Sequence, residues 1–182
     1  YEKVLKLSPK SHKKPIKPLF ILALVIRILS FFELLKVGFS YKKIGMEKLS
    51  KKEPCLILMN HSCFLDLKIA STLLFPRKYN IVMTSDGFVG KEWLMRLVGC
   101  IPTQKFISDS LLVRDILHCV RKNKTSILMY PEASYSFDGT ATPLPESLGK
   151  LIKKLGIPVV MIKTFGAFSH DPLYNNLQKR KV

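Results

Sequence analysis

The sequence predicts an α/β fold: a largely parallel β-sheet flanked by helices, preceded by an apolar N-terminal helix. Three observations carry this. From residue 54 onward, short apolar runs alternate with amphipathic segments. Most of these segments stop at a glycine or a proline. Ahead of them, Leu19–Leu35 is apolar except for Arg27, Ser30 and Glu33.

The elements follow in order. Pro18 fits the first turn of a helix and Gly38 fits its end. A helix over Pro18–Lys36 is about 28 Å long, close to the roughly 30 Å hydrocarbon core of a bilayer. Spanning is therefore allowed by length. Against it, Arg27, Ser30, Glu33 and Lys36 recur every third residue and form a slanted polar strip. An arginine near mid-helix costs about 2.5–3.5 kcal/mol on insertion. The strip favours a helix lying in the membrane interface. Residues 55–59 (CLILM) read as a buried strand, and Phe64–Leu74 as a helix ended by Pro76. Residues 79–84 are a second strand, and Lys91–Val98 a short helix stopped by Gly99. Ser108–Lys122 is a longer helix with Leu112, Ile116, Leu117 and Val120 on one face. Residues 125–130 are a third strand, Pro145–Leu155 a helix stopped by Gly156, and Ile157–Ile162 a fourth strand. In such a sheet, functional groups collect at the carboxyl ends of the strands. The 182 residues suit one domain, divided into a basic arm and apolar helix (1–45) and an α/β unit (46–182).

Composition narrows the class. With 47% hydrophobic and 24% charged residues the chain is globular and not disordered. Lys and Arg exceed Asp and Glu by 30 to 13, giving +17. Residues 1–52 hold 13 of those bases against 3 acids, so the excess is concentrated there. Lys3, Lys6, Lys10, Lys13, Lys14 and Lys17 precede the apolar helix, and Pro9, Pro15 and Pro18 oppose a long helix among them. A lysine-rich arm beside an apolar helix suits an anionic bilayer, about 1 kcal/mol per lysine near the surface. Together they supply the two signals that stable anchoring needs. The expected location is membrane-associated, on the cytoplasmic face. The same charge admits nucleic acid, but no recognition helix, zinc finger or aromatic RNA-binding block is present, so no nucleic-acid partner is expected. Cys55, Cys63, Cys100 and Cys119 form no C-x-x-C pair and no disulfide framework. His12 and His170 carry no partner signal, and Trp93 reads as helix packing.

The candidate chemistry begins directly after the first strand, at Asn60-His61-Ser62-Cys63-Phe64-Leu65-Asp66. On one continuous helix, residues five apart point about 140° away from each other, so His61 and Asp66 would not meet. They meet if His61 lies in a turn and the helix begins near Ser62 or Cys63. Asp66 then accepts from Nδ1 and leaves Nε2 as a free base. This is the histidine–carboxylate half of a triad without a serine. No G-x-S-x-G elbow supplies one. A base without its own nucleophile activates a hydroxyl or a water that the substrate brings. Cys63 as a nucleophile beside His61 is the weaker alternative, because a small packing residue is commoner there.

Three further segments accompany it: Gly99–Lys105 (GCIPTQK), Tyr130–Ser134 (YPEAS) and Ile157–Val160 (IPVV). In this order and at these distances, the four segments resemble the four blocks of the glycerolipid acyltransferases, the lysophosphatidic acid (1-acyl-sn-glycerol-3-phosphate) acyltransferase family. The resemblance covers about residues 52–166. His61–Asp66 resembles the H-x4-D block, and Ala133 and Ser134 stand where the P-E-G-T block has Gly and Thr.

The resemblance implies a glycerolipid acyltransferase-like fold and an O-acyl transfer to a lysophospholipid hydroxyl. The acyl chain would come from acyl-CoA or acyl-carrier protein as co-substrate, with no metal and no further cofactor. The acceptor first implied is 1-acyl-sn-glycerol-3-phosphate, giving phosphatidic acid. His61 and Asp66 would be catalytic, as base and orienting group. Lys105, Glu132, Ala133, Ser134 and Tyr135 would form the acceptor site, with Lys105 on its phosphate. It also implies that the 46–182 unit continues past the fourth block. Two positions depart from the pattern: Lys105 and Tyr135 stand where arginine is usual. That leaves open another lysophospholipid or a glycolipid as acceptor, and a non-catalytic module that only binds anionic lipid or nucleic acid.

Overall fold

A computed structural model of the chain describes residues 12–103, 110–136 and 138–170. The helices are α1 (Phe20–Val37), α2 (Leu65–Leu74), α3 (Glu92–Val98), α4 (Ser110–His118), α5 (Ser147–Leu155) and α6 (Ala167–His170). The strands are β1 (Leu56–Met59), β2 (Tyr79–Thr84), β3 (Cys100–Thr103), β4 (Ser126–Met129) and β5 (Val159–Ile162). They form one parallel sheet in the order β3-β2-β4-β1-β5. All four expected strands and the expected helices are present, within a few residues of their predicted ends.

β1 lies between β4 and β5 and is buried along its whole length. Its side chains alternate between the two faces, as a strand requires. Ile57 and Met59 pack with Leu65, Ile69 and Leu74 of α2. Leu56 and Leu58 pack with Ile116, Val120, Leu148 and Leu155 on the opposite face. The chain leaves β1 through α2 toward β2, and leaves β4 through α5 toward β5. Neighbouring strands thus send their connections opposite ways, which opens a crevice at their carboxyl ends.

β3 is a strand the sequence does not announce, because Pro102 stands between Ile101 and Thr103 and interrupts the short apolar run. It occupies the sheet edge, where a missing N–H leaves no ladder bond unmade. The helix expected over Ser108–Lys122 is regular only to His118. Its last turn, Cys119–Asn123, widens to a π-turn, with the Cys119 carbonyl accepting from Thr125 N at 3.1 Å.

Three residues of the polar strip on α1 find partners in or beside α2. Ser30 is buried and accepts from Ser71 of α2 at 3.0 Å, and Glu33 pairs with Lys68. The Arg27 guanidinium lies 4.4 Å from the Phe75 ring centre. The strip turns toward the protein, and the apolar side chains turn out: Leu29 is 66% and Phe32 60% exposed. Trp93 of α3, expected to pack, is 68% exposed. Among the described residues no helix is long and apolar enough to cross a membrane.

Residues 12–18 cross the amino ends of the strands, opposite the crevice. Arg96 holds the carbonyls of Lys13 and Lys14 at 3.1 and 3.0 Å, and Asn123 donates to that of Pro15 at 3.2 Å. His12 does have a partner: its Nε2 lies 3.1 Å from the buried Asp115 carboxylate. Asn80 is fully buried and makes three bonds, to Ile16 O (2.9 Å), Gly99 O (2.8 Å) and Thr125 Oγ1 (2.6 Å). Removing it takes the side-chain donor from Ile16 O and leaves a cavity in the buried end of the sheet. Gly99 O keeps Ile81 N at 3.2 Å, and the Thr125 hydroxyl keeps Cys119 O at 3.3 Å. Asn80→Ala is expected to lower unfolding stability by about 2–3 kcal/mol in a denaturant titration, and a loss below about 0.5 kcal/mol would contradict this.

Candidate active site

The site forms where β1 and β4 end side by side. The strand-to-helix turn after β1 is Asn60–Phe64, and α2 begins at Leu65, later than expected. Asp66 therefore lies in the first helical turn, fully buried, and its Oδ2 gathers three donors. Ser62 N donates at 2.6 Å and Cys63 N at 3.0 Å. His61 Nδ1 lies 3.0 Å away. An ionised carboxylate only accepts, so Nδ1 carries the proton and Nε2 of the neutral ring keeps its lone pair. The same carboxylate thus holds the two N–H groups of the turn that leads into α2.

The turn is braced from both sides. Asn60 Oδ1 accepts from Thr164 N (2.8 Å) and Thr164 Oγ1 (3.1 Å), tying the end of β1 to the segment after β5. Ser136 N donates to the His61 carbonyl at 2.8 Å, tying it to the segment after β4. The His61 ring is itself enclosed. Tyr130 stacks on it at 3.9 Å between centroids and 15° between planes. Tyr135 covers the other face at 3.8 Å and 32°. Phe64 meets Tyr135 edge-on at 5.5 Å. The His61 side chain is 17% exposed.

Of the expected site residues, the fold brings His61, Asp66, Glu132 and Tyr135 together. Burial holds the Glu132 carboxyl above the ordinary carboxylate range, partly offset by the His61 backbone and ring. Ser134 is exposed, and its hydroxyl donates to the Glu132 carbonyl at 3.4 Å, not to His61. Ala133 holds the tip of the turn with φ 57°. Lys105 lies outside the described residues. Cys63 does not face the crevice: its side chain is buried and its Sγ donates to Ala167 O at 3.3 Å. Among the described residues no three His, Cys, Asp or Glu side chains converge to hold a metal ion.

Tyr130, Ser136 and Asn60 were not singled out from the sequence. Tyr130 closes an apolar run and reads as a strand residue. Ser136 acts through its backbone, which leaves no mark in a sequence. Asn60 carried one usable signal, a polar side chain at the carboxyl end of a buried strand.

Comparison with known proteins points to one family. The family model described as Acyltransferase matches residues 40–163. The chain is 29% identical over 127 residues to the chloroplastic 1-acyl-sn-glycerol-3-phosphate acyltransferase BAT2 of Brassica napus. That match covers 67% of this chain and 36% of the relative, so the chain spans little more than a third of that protein. The fold matches the 1-acyl-sn-glycerophosphate (LPA) acyltransferase PlsC of Thermotoga maritima with a TM-score of 0.65 at 15% identity. The match covers 84% of this chain and 61% of that one.

One position here is conformationally strained. A side chain in the left-handed region costs roughly 1–2 kcal/mol, against about 0.5–1 kcal/mol for the extra freedom of unfolded glycine. Ala133→Gly is therefore expected to raise stability by about 0.5–1 kcal/mol, read from the thermal midpoint. A destabilised variant would show that Ala133 makes contacts that outweigh its backbone strain.

Proposed function

The chain belongs to the acyltransferase family, and from that premise we propose that it transfers a fatty acyl chain from an acyl thioester to the free hydroxyl of a lysophospholipid. The donor is acyl-CoA or acyl-carrier protein. The first candidate acceptor is 1-acyl-sn-glycerol-3-phosphate, giving phosphatidic acid, as the names of the matched relatives suggest. The observation that carries this reading is the buried Asp66 carboxylate on His61 Nδ1, which leaves Nε2 as a base.

In the reaction, His61 Nε2 takes the proton of the acceptor hydroxyl as its oxygen attacks the thioester carbonyl. The C–O bond forms, the tetrahedral adduct collapses, and the C–S bond breaks. The imidazolium then returns its proton to the departing thiolate. Asp66 fixes the tautomer and faces the positive charge that the ring acquires. Glu132 receives acceptor hydroxyls, and Lys105 meets the phosphate as a point charge. Tyr135 favours a second reading of the acceptor. A phenol ring packed on His61 brings no charge where arginine is usual, which suits a headgroup other than a phosphate monoester.

The arm and α1 seat the enzyme on an anionic bilayer, at the cytoplasmic face. The outward apolar side chains of α1 support this, because they enter lipid while the polar strip stays against α2.

Two tests follow. Vesicle-bound protein with labelled acyl-CoA or acyl-carrier protein and a lysolipid panel is expected to yield product. His61→Ala should lose about 10²–10⁴ in rate while keeping its melting midpoint. Normal turnover by that variant would remove His61 from the mechanism. Separately, Leu29→Ser with Phe32→Ser should weaken binding to anionic vesicles at least about 10-fold, through lost apolar burial. Unchanged sedimentation with vesicles would turn that face away from lipid.

A further inference from the structure

Both faces of the His61 ring are covered, and by residues of one segment. Tyr130 follows β4, whose Met129 is in register with Leu58 of β1, so its ring is carried by the sheet itself. Tyr135 comes from the same segment, and its neighbour Ser136 is bonded to the His61 carbonyl. The cover over the ring is thus anchored to the residue that it covers. At 3.8–3.9 Å between centroids the imidazole fills the gap, and it cannot turn about its χ2 bond without driving into a phenol. With Nδ1 on Asp66, only the Nε2 edge stays open.

We propose that Tyr130 and Tyr135 are positioning residues for His61: a two-ring clamp that fixes the imidazole plane, admits the acceptor hydroxyl only along the ring edge, and supports the positive charge of the ring when it holds the proton. The proposal rests on the acyl-transfer reading for the role of His61 as base. The effect of the clamp on the charge of the ring can be read without turnover.

The physical basis is the aromatic quadrupole. A cation over the face of a phenol is attracted to it, more strongly where water is excluded. Both faces of His61 meet such a ring, so the protonated ring is supported where solvent cannot reach. The other titratable groups beside it are Asp66 on α2, Cys63 in the turn before it, and Glu132 after β4. Asp66 faces Nδ1, and Glu132 lies beside the His61 backbone and ring. Burial, then the nearby Asp66 charge, holds the Tyr130 hydroxyl above its ordinary value, so this ring stays neutral across the working pH range.

The test compares Tyr135→Phe with the ring-free Tyr135→Leu and Tyr135→Met. Leu and Met keep apolar cover on His61 and remove the π face, so desolvation is retained while the quadrupole is lost. Imidazole titration of 15N-histidine-labelled protein by NMR gives the His61 midpoint, and kinetics give kcat and the acceptor KM separately. Tyr135→Phe keeps the π face, so it is expected to keep the wild-type His61 midpoint. The ring-free variants should lower the His61 midpoint by about 0.5–1 pH unit. The acid limb of kcat should move with it, and kcat should fall about 10-fold at near-constant KM. Unchanged midpoint and kcat in a folded ring-free variant would overturn the clamp. A raised KM at constant kcat would also overturn it, and make Tyr135 a substrate contact. If wild type acylates no acceptor, the acyl-transfer reading fails, while the NMR midpoints still decide the clamp.

Discussion

One oxygen atom organises the crevice. Asp66 Oδ2 receives the backbone N–H of Ser62 and Cys63 and the Nδ1 proton of His61, in a place closed to solvent. Hydrogen bonds to a charged group contribute about 1.5–3 kcal/mol each, so the cluster is strong enough to dictate the local backbone. It sets where β1 stops and where α2 starts. It also sets the tautomer of the histidine. The bracing by Asn60, Ser136, Tyr130 and Tyr135 presupposes that the turn is already there. Were the carboxylate one helical position further along, the three donors would not converge and the ring would have no fixed plane.

The second organising constraint concerns α1. A helix on a water-soluble protein turns its apolar stripe inward. Here Ser30 and Glu33 are spent on Ser71 and Lys68 of α2, Arg27 lies over Phe75, and Leu29 and Phe32 face outward. The outer face of α1 is therefore apolar and uncovered among the described residues. Ser30 and Glu33 are satisfied by α2, whereas Arg27 Nε has no hydrogen-bond partner and its guanidinium meets the Phe75 ring instead. This arrangement is what supports the proposed seat of α1 in the surface of a bilayer.

Much of this was legible in the sequence, for identifiable reasons. The four strands were read correctly because each is an apolar run bounded by turn residues, and α2, α3 and α5 because their ends carry Pro or Gly. The His61–Asp66 contact followed from helix geometry once the turn was placed. What stayed hidden depends on distant partners. β3 was masked by Pro102, which is acceptable only at an edge, and no local pattern says that a strand is an edge. The strip on α1 was seen, but its direction depends on Ser71 and Lys68, some forty residues away. The pairing of His12 with Asp115 spans most of the described chain. Tyr130 and Ser136 reach His61 only because β4 lies beside β1, and strand order is not written in periodicity. Family resemblance supplied Tyr135, though not its place on the ring.

The claim that everything else serves is that the base activates a hydroxyl brought by a lipid, and not water. It is tested most directly by following free thiol and acylated lipid in one reaction, with the protein on anionic vesicles and an acyl thioester, with and without each lysolipid. The account predicts thiol release that depends on the acceptor and equals the acylated lipid mole for mole. Thiol release at the same rate without any lysolipid would make water the nucleophile and contradict it.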